Sequence, residues 1–243
     1  MKKHNLSEDF NPSLDKSLMT KSFLEYRKNG KISFKYIFLL FLKALFLDIP
    51  ISIINNYPGI AGYKIRQFFY KFFLKEAGKN FILGEGIKIR FPKNLSISDF
   101  AFIDDNVEIE SMLGFVKIGS RVHIGKNSTI SGTNSSVIIE DYVGIGSFVR
   151  IYAHSETIEE GKRMSGPMID ESEKGMLSAP VIIKKDSFIS SGSVILPGVV
   201  IEEGAVITPN SFIKANSIVK SWTIYGGNPA RFLGYRKNIS KEK

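Results

Sequence analysis

From Ile183 to Val219 an aliphatic side chain returns at every sixth position: Ile183, Ile189, Ile195, Ile201, Ile207, Ile213 and Val219. An α-helix repeats its apolar face about every 3.6 residues and a strand about every 2, so neither demands a strict period of six. Short strands joined by tight turns do. In each hexad the first side chain points into a narrow interior, and so does a smaller one four places later (Ser187, Ser193, Ala205, Ser211, Ser217). One hexad cannot bury that face alone. Stacked hexads cover one another and pair their backbone N–H and C=O groups, so open strand edges survive only at the two ends.

The same spacing extends backwards through Ile97, Ile103, Ile109, then Ile118, Ile124, Ile130, then Ile139, Ile145, Ile151. It departs from six at 109 to 118 (nine), 130 to 139 (nine) and 151 to 183 (thirty-two), each time after a third hexad. Leu83 and Ile89 come before the first full coil, again with a longer step of eight. Three hexads therefore make one turn of about 18 residues with a triangular cross-section, and all the extra residues leave from one corner. The expectation is a mainly β chain: a triangular parallel solenoid over 81–225 with a long loop at 155–180, a helical segment at 1–80 before it and an extension at 226–243 after it.

The chain has 243 residues, no cysteine and a net charge of +9, so no disulfide framework, thiolate metal site or cysteine nucleophile is available. Residues 1–80 carry 14 Lys and Arg against 6 Asp and Glu, while the remainder carries 19 against 18, so the solenoid is nearly neutral. A nucleic-acid partner would have to rest on the N-terminal segment alone, and none is expected. Met1 to Lys31 is polar and lacks the apolar run of a secretory signal. Residues 36–54 are apolar but carry Lys43, Asp48 and Pro50 inside the only window long enough to span a bilayer. Ile65, Phe68, Phe69, Phe72 and Phe73 then fall at helical spacing, with Lys64, Lys71, Lys75 and Lys79 as a basic stripe and Gly78 as the helix end. Residues 36–80 have two readings that hold together: a cap on the open end of the solenoid, and a peripheral contact with an anionic membrane surface; a third, that 36–54 spans the bilayer, stays open against those three interrupting residues. The expected location is cytoplasmic, at the inner face of the cytoplasmic membrane.

The I-x4-I spacing with glycine after the aliphatic residue (Ile118-Gly119, Ile124-Gly125, Ile145-Gly146) resembles the hexapeptide-repeat acyltransferases. The resemblance runs from about Gly84 to Gly234 and is most specific at Tyr152-Ala-His154, at Ser191-Gly-Ser-Val-Ile-Leu-Pro-Gly198 and at Gly226-Gly-Asn-Pro-Ala-Arg231, which favour the sugar O-acetyltransferase branch. It implies a left-handed parallel β-helix, acetyl-CoA as acyl donor, a sugar or glycan acceptor in surface-polysaccharide or lipid-linked saccharide synthesis, and a homotrimer with sites shared between chains.

Three histidines are present. His4 lies in the polar arm and His123 just before an inward isoleucine, hence on an outer face; His154 stands directly before the longest insertion, where a loop can cover it. A hydroxyl attacking a thioester must lose its proton, and an imidazole with pKa about 6.5 suits that task near neutrality. The resemblance assigns this general-base role to His154; Glu156, close in sequence, or a backbone carbonyl would orient it. By motif position it sets Ser191 against the pantetheine arm and Lys214 and Arg231 against the nucleotide phosphates. Asn127 and Asn134, in the coil before His154, are candidates for sugar hydroxyls.

The chain departs from the family pattern at Pro209, which offers no N–H to the cofactor, and at Phe188 and Ser190, leaving room for an acyl group other than acetyl. A carbonic anhydrase on this repeat needs three zinc-bound histidines, whereas the solenoid has two, 31 residues apart, so no metal is expected. Two alternatives stay open: an acyl-carrier-protein-dependent acyltransferase, and a non-catalytic scaffold at the membrane surface.

Overall fold

The computed structural model describes residues 18–157, 161–164 and 173–238. His4 and parts of the 155–180 loop lie outside them. From Glu76 onward the chain winds into three parallel sheets, and each coil contributes one hexad to each sheet. The register follows the sixfold spacing directly. In the first sheet Ile97 pairs with Ile118, then follow Ile139, Ile183, Ile201 and Val219. The second stacks Leu83, Ile103, Ile124, Ile145, Ile189 and Ile207. The third stacks Ile89, Ile109, Ile130, Ile151, Ile195 and Ile213.

All of these side chains are buried except Ile89, which is partly so. β-Branched isoleucine fits such a pleated ladder, and each buried side chain contributes about 1.5–3 kcal/mol. The smaller inward positions are buried as expected at Ser187, Ser193, Ala205 and Ser211. Their hydroxyls are satisfied by turn carbonyls: Ser187 Oγ donates to Lys184 O (2.6 Å), and Ser193 Oγ to Thr208 O (3.1 Å). Ser217 is only half-buried, because its coil is the last of the first sheet. Corners turn on left-handed residues, with Asn127, Asn134, Asn210 and Asn216 at φ between 55° and 59°, a conformation asparagine tolerates better than most. Gly198 (φ 76°) lies against the side chain of Asn216 in the next coil, where a Cβ would collide.

Among the described residues four helices precede the coils: α1 (Leu18–Asn29), α2 (Phe34–Lys43), α3 (Ile49–Asn55) and α4 (Gly59–Tyr70). A π turn, Ala44–Asp48, joins α2 to α3 without a break. Helix α4 closes the open end of the solenoid, with Tyr70, Leu74 and Phe81 buried against Leu83 and Ile87 of the first coil. The capping reading of residues 36–80 therefore holds for α4 but not for α2 and α3, where only Asn55 is buried.

One expectation is corrected. The helix predicted to run to Gly78 stops at Tyr70, and the coil begins before residue 81. Lys75 N donates to Leu95 O (3.0 Å), while Glu76 and Ala77 pair with Ser96 and Ile97. The exposed edge of Leu95–Ile97 offers backbone partners that a further helical turn would leave unused. Lys75 and Lys79 consequently belong to the solenoid, and the four lysines do not share one helical stripe. At the far end Thr223–Gly227 turns back as an antiparallel hairpin with Ala230–Tyr235 and covers the edge of the second sheet.

Candidate active site

The longer steps in the repeat all fall at the corner between the third and first sheets, so their residues stack along one edge of the prism. His154 stands on that edge at the base of a hairpin: His154–Glu156 pairs antiparallel with Met176–Ser178, His154 opposite Ser178. The coils beneath it follow in order. Ala153 N donates to Ser131 O (2.9 Å), and Gly132 N to Glu110 O (2.8 Å). Thr133 and Asn134 thus lie one coil before His154, and Asn134 Nδ2 reaches Met176 Sδ (3.3 Å) on the hairpin.

This corner is polar. Ser131 and Thr133 are buried, and among the described residues neither Ser131 Oγ, Thr133 Oγ1 nor His154 Nδ1 has a hydrogen-bond partner. Buried polar atoms are ordinarily paired, so three unpaired ones on one edge mark a place built to meet further polar groups. His154 is half-buried, and burial pushes its imidazole below the ordinary histidine range, against the opposing pull of the Glu110 charge. Lowering favours the neutral ring, the form that accepts a proton. Glu110 is the carboxylate that opposes this lowering, and Glu156 is exposed on the hairpin.

A pH test follows from the signs. Glu110 holds the His154 pKa up, so Glu110→Gln lowers it further; with His154 as the expected general base, the acid limb of kcat/KM moves to lower pH. A limb that stays put or moves upward removes His154 or Glu110 from this role.

The six sequence candidates do not converge within one chain. Asn134 and Lys214 share the edge with His154, Lys214 two coils further on, or about 10 Å at the usual strand spacing. Asn127 and Ser191 lie on the neighbouring edge, between the second and third sheets, where Gly192 N donates to Ser147 O and Asn210 N to Ser191 O. Arg231 sits in the terminal hairpin opposite Gly226. His123 is exposed on the second sheet, its Nε2 3.1 Å from Asp104 Oδ2 and its ring stacked on Phe102, away from the loop corner. Glu110, Ser131 and Thr133 were not singled out from sequence. Their signal was the nine-residue steps, which place them at the corner that carries the long loop.

Among the described residues no group of three His, Cys, Asp or Glu side chains is arranged to hold a metal ion.

The family model for bacterial transferase hexapeptide (six repeats) matches residues 180–220. No curated protein matches the chain. Among solved structures, AntD, an N-acyltransferase from Bacillus cereus in complex with dTDP and 3-hydroxybutyryl-CoA, is 28% identical over 77% of this chain and 93% of its own, with a TM-score of 0.66. A mutant of AntD in complex with dTDP and coenzyme A is 30% identical over 73% of this chain and 92% of its own, also with a TM-score of 0.66. The hexapeptide-repeat acetyltransferase VCA0836 from Vibrio cholerae O1 biovar eltor, complexed with acetyl coenzyme A, is 21% identical over 80% of this chain and 92% of its own, and with a TM-score of 0.52 it speaks for the fold alone. Repeat, register and likeness across most of both chains agree: the chain is a left-handed β-helix and belongs to the hexapeptide-repeat acyltransferases.

Proposed function

We propose that the protein transfers an acyl group, acetyl in the simplest case, from coenzyme A to a hydroxyl of a sugar, with His154 as general base. The observation that carries this reading is His154 itself, half-buried at the base of the hairpin, on the same edge as hydroxyls that find no partner among the described residues, and held toward its neutral form. As the sugar oxygen attacks the thioester carbonyl, its proton passes to the imidazole. When the C–S bond breaks, the departing thiolate takes that proton back, so the protein ends unchanged.

Ser131, Thr133 and Asn134 are then the groups that face the acceptor, and Lys214 lies along the same edge for the phosphates of the donor. Asn127 and Ser191 on the neighbouring edge act in a closed three-fold ring, where that edge of one copy meets the His154 edge of the next. The acceptor belongs to surface-polysaccharide or lipid-linked saccharide synthesis.

A second reading takes the acceptor as an amine on a nucleotide-linked sugar. The likeness to AntD, an N-acyltransferase in complex with dTDP, favours it. An acyl-carrier-protein donor gains no such support, since the solved relatives carry coenzyme A or its thioesters.

The test is release of free coenzyme A thiol from acetyl-CoA in the presence of hydroxyl and amino sugars, free and nucleotide-linked, followed by mass spectrometry of the product. An acylated product that mild alkali reverses is an ester and supports the first reading; a stable one is an amide and supports the second. No thiol release with any acceptor returns the chain to the scaffold reading.

A further inference from the structure

We propose that the continuous helix Phe34–Asn55 is embedded in a lipid bilayer and mounts the solenoid on it. The helix has 22 residues, which at about 1.5 Å per residue gives about 33 Å, enough to cross a hydrocarbon core of about 30 Å. Its apolar side chains face outward all round: Phe34, Ile37, Phe38, Phe41, Phe46 and Ile53 are all exposed. A helix apolar on every side belongs inside a large core or inside a membrane, and among the described residues no protein core covers this one.

The three residues that interrupt the run in sequence are accommodated by the π turn. That turn brings the fifth residue back beneath the first, and Lys43 Nζ meets Asp48 Oδ1 at 2.6 Å, so the two charges neutralise each other within the helix. Pro50 falls in the first turn of α3, directly after the π turn, and the helix passes through it unbroken. Paired, these residues cost far less in hydrocarbon than two separate charges at about 2.5–3.5 kcal/mol each.

The end of the helix is fixed to the solenoid. Asn55 O accepts from Gly86 N (2.8 Å), and Asn55 Oδ1 accepts from Tyr70 Oη (3.1 Å). Cleavage of an apolar leader there would cut into the cap of the first coil, so the helix serves as a retained anchor. Around it lie the features of an interface with a charged lipid surface. Phe68 and Phe72 are exposed and packed edge to face (5.2 Å) on the outer side of α4 and its end, and Lys64 and Lys71 are exposed beside them.

The test uses the full chain. Membranes from cells expressing it are washed with 1 M salt, then with alkaline carbonate, and the protein is floated on a density gradient. It is expected to stay with the floating membranes through both washes and to leave only with detergent. A double variant, Phe38→Glu with Phe46→Glu, changes only exposed side chains; it is expected to lose most of its flotation while its circular dichroism is unchanged. Release of the parent by salt or carbonate, sedimentation without flotation, or flotation of the variant equal to the parent's overturns the proposal. None of these outcomes depends on the acyl-transfer reading, because thiol release is not the readout.

Discussion

His154→Ala is expected to fold as the parent does and to lose about 10²- to 10⁴-fold in kcat, the usual contribution of a general base. At about 1.36 kcal/mol per decade this is a rise of about 3–5 kcal/mol in the barrier. The fold should be indifferent, because His154 belongs to the hairpin at the corner and not to the isoleucine ladders. KM for the acyl-CoA should change little, because the proposed donor groups Lys214, Ser191 and Arg231 all lie in other coils or in the terminal hairpin. Circular dichroism and steady-state kinetics on the same preparation check both halves. Activity above a tenth of the parent's moves the base elsewhere, and His123, 3.1 Å from Asp104, is next to examine.

The contrast between what could and could not be read from the sequence has a physical basis. A parallel solenoid places residue i of one coil directly over its counterpart in the next. Ile118 over Ile97 and under Ile139 is therefore a statement about spacing alone. The insertion corner was readable for the same reason, since a departure from six can occur only where the chain turns. Glu110, Ser131 and Thr133 escaped notice because serine, threonine and glutamate are ordinary turn material; the burial of Ser131 and Thr133 and the nearness of Glu110 to His154 exist only once three coils are stacked. The end of α4 was misplaced for a different reason. Phe72 and Phe73 keep a helical spacing, yet competition between a helical turn and pairing with Leu95–Ile97 is decided by a strand 20 residues away. The Lys43–Asp48 pair was also hidden. At a separation of five these residues do not face each other on an α-helix, and only the π turn brings them together.

Arg66→Ala should uncouple the N-terminal helices from the solenoid while leaving most of the coils folded. The guanidinium is fully buried and divides its donors between two bodies. Nε donates to Leu83 O of the first coil (2.8 Å), and Nη1 donates to Tyr57 O (2.8 Å), Ile54 O (3.3 Å) and Asn55 O (3.3 Å) at the end of α3. A cation at a helix C-terminus is favourably placed against the helix dipole. Burial pushes its pKa down from the ordinary arginine range, and the charges of Glu85 and Asp105 hold it up. Hydrogen bonds to a charged group contribute about 1.5–3 kcal/mol each, and their removal strands buried carbonyls, so a loss of about 3–5 kcal/mol is expected. Stacked coils stabilise their neighbours rather than the whole chain at once, so the loss stays local. Amide exchange is the measurement: the Gly86 N–H, which donates to Asn55 O, should lose roughly a hundredfold or more of its protection, while the Gly125 N–H, paired with Ile145 O, should keep its own. Arg66→Lys should behave nearly as Arg66→Ala, since an ammonium cannot reach both bodies with a rigid fork. Gly62→Ala attacks the same joint from the other side, because a Cβ there would collide with Tyr57 O and lie 2.9 Å from Arg66 Nη1. Unchanged exchange at Gly86 in all three variants would mean that packing of Tyr70 and Leu74, and not the guanidinium, holds the helices to the first coil.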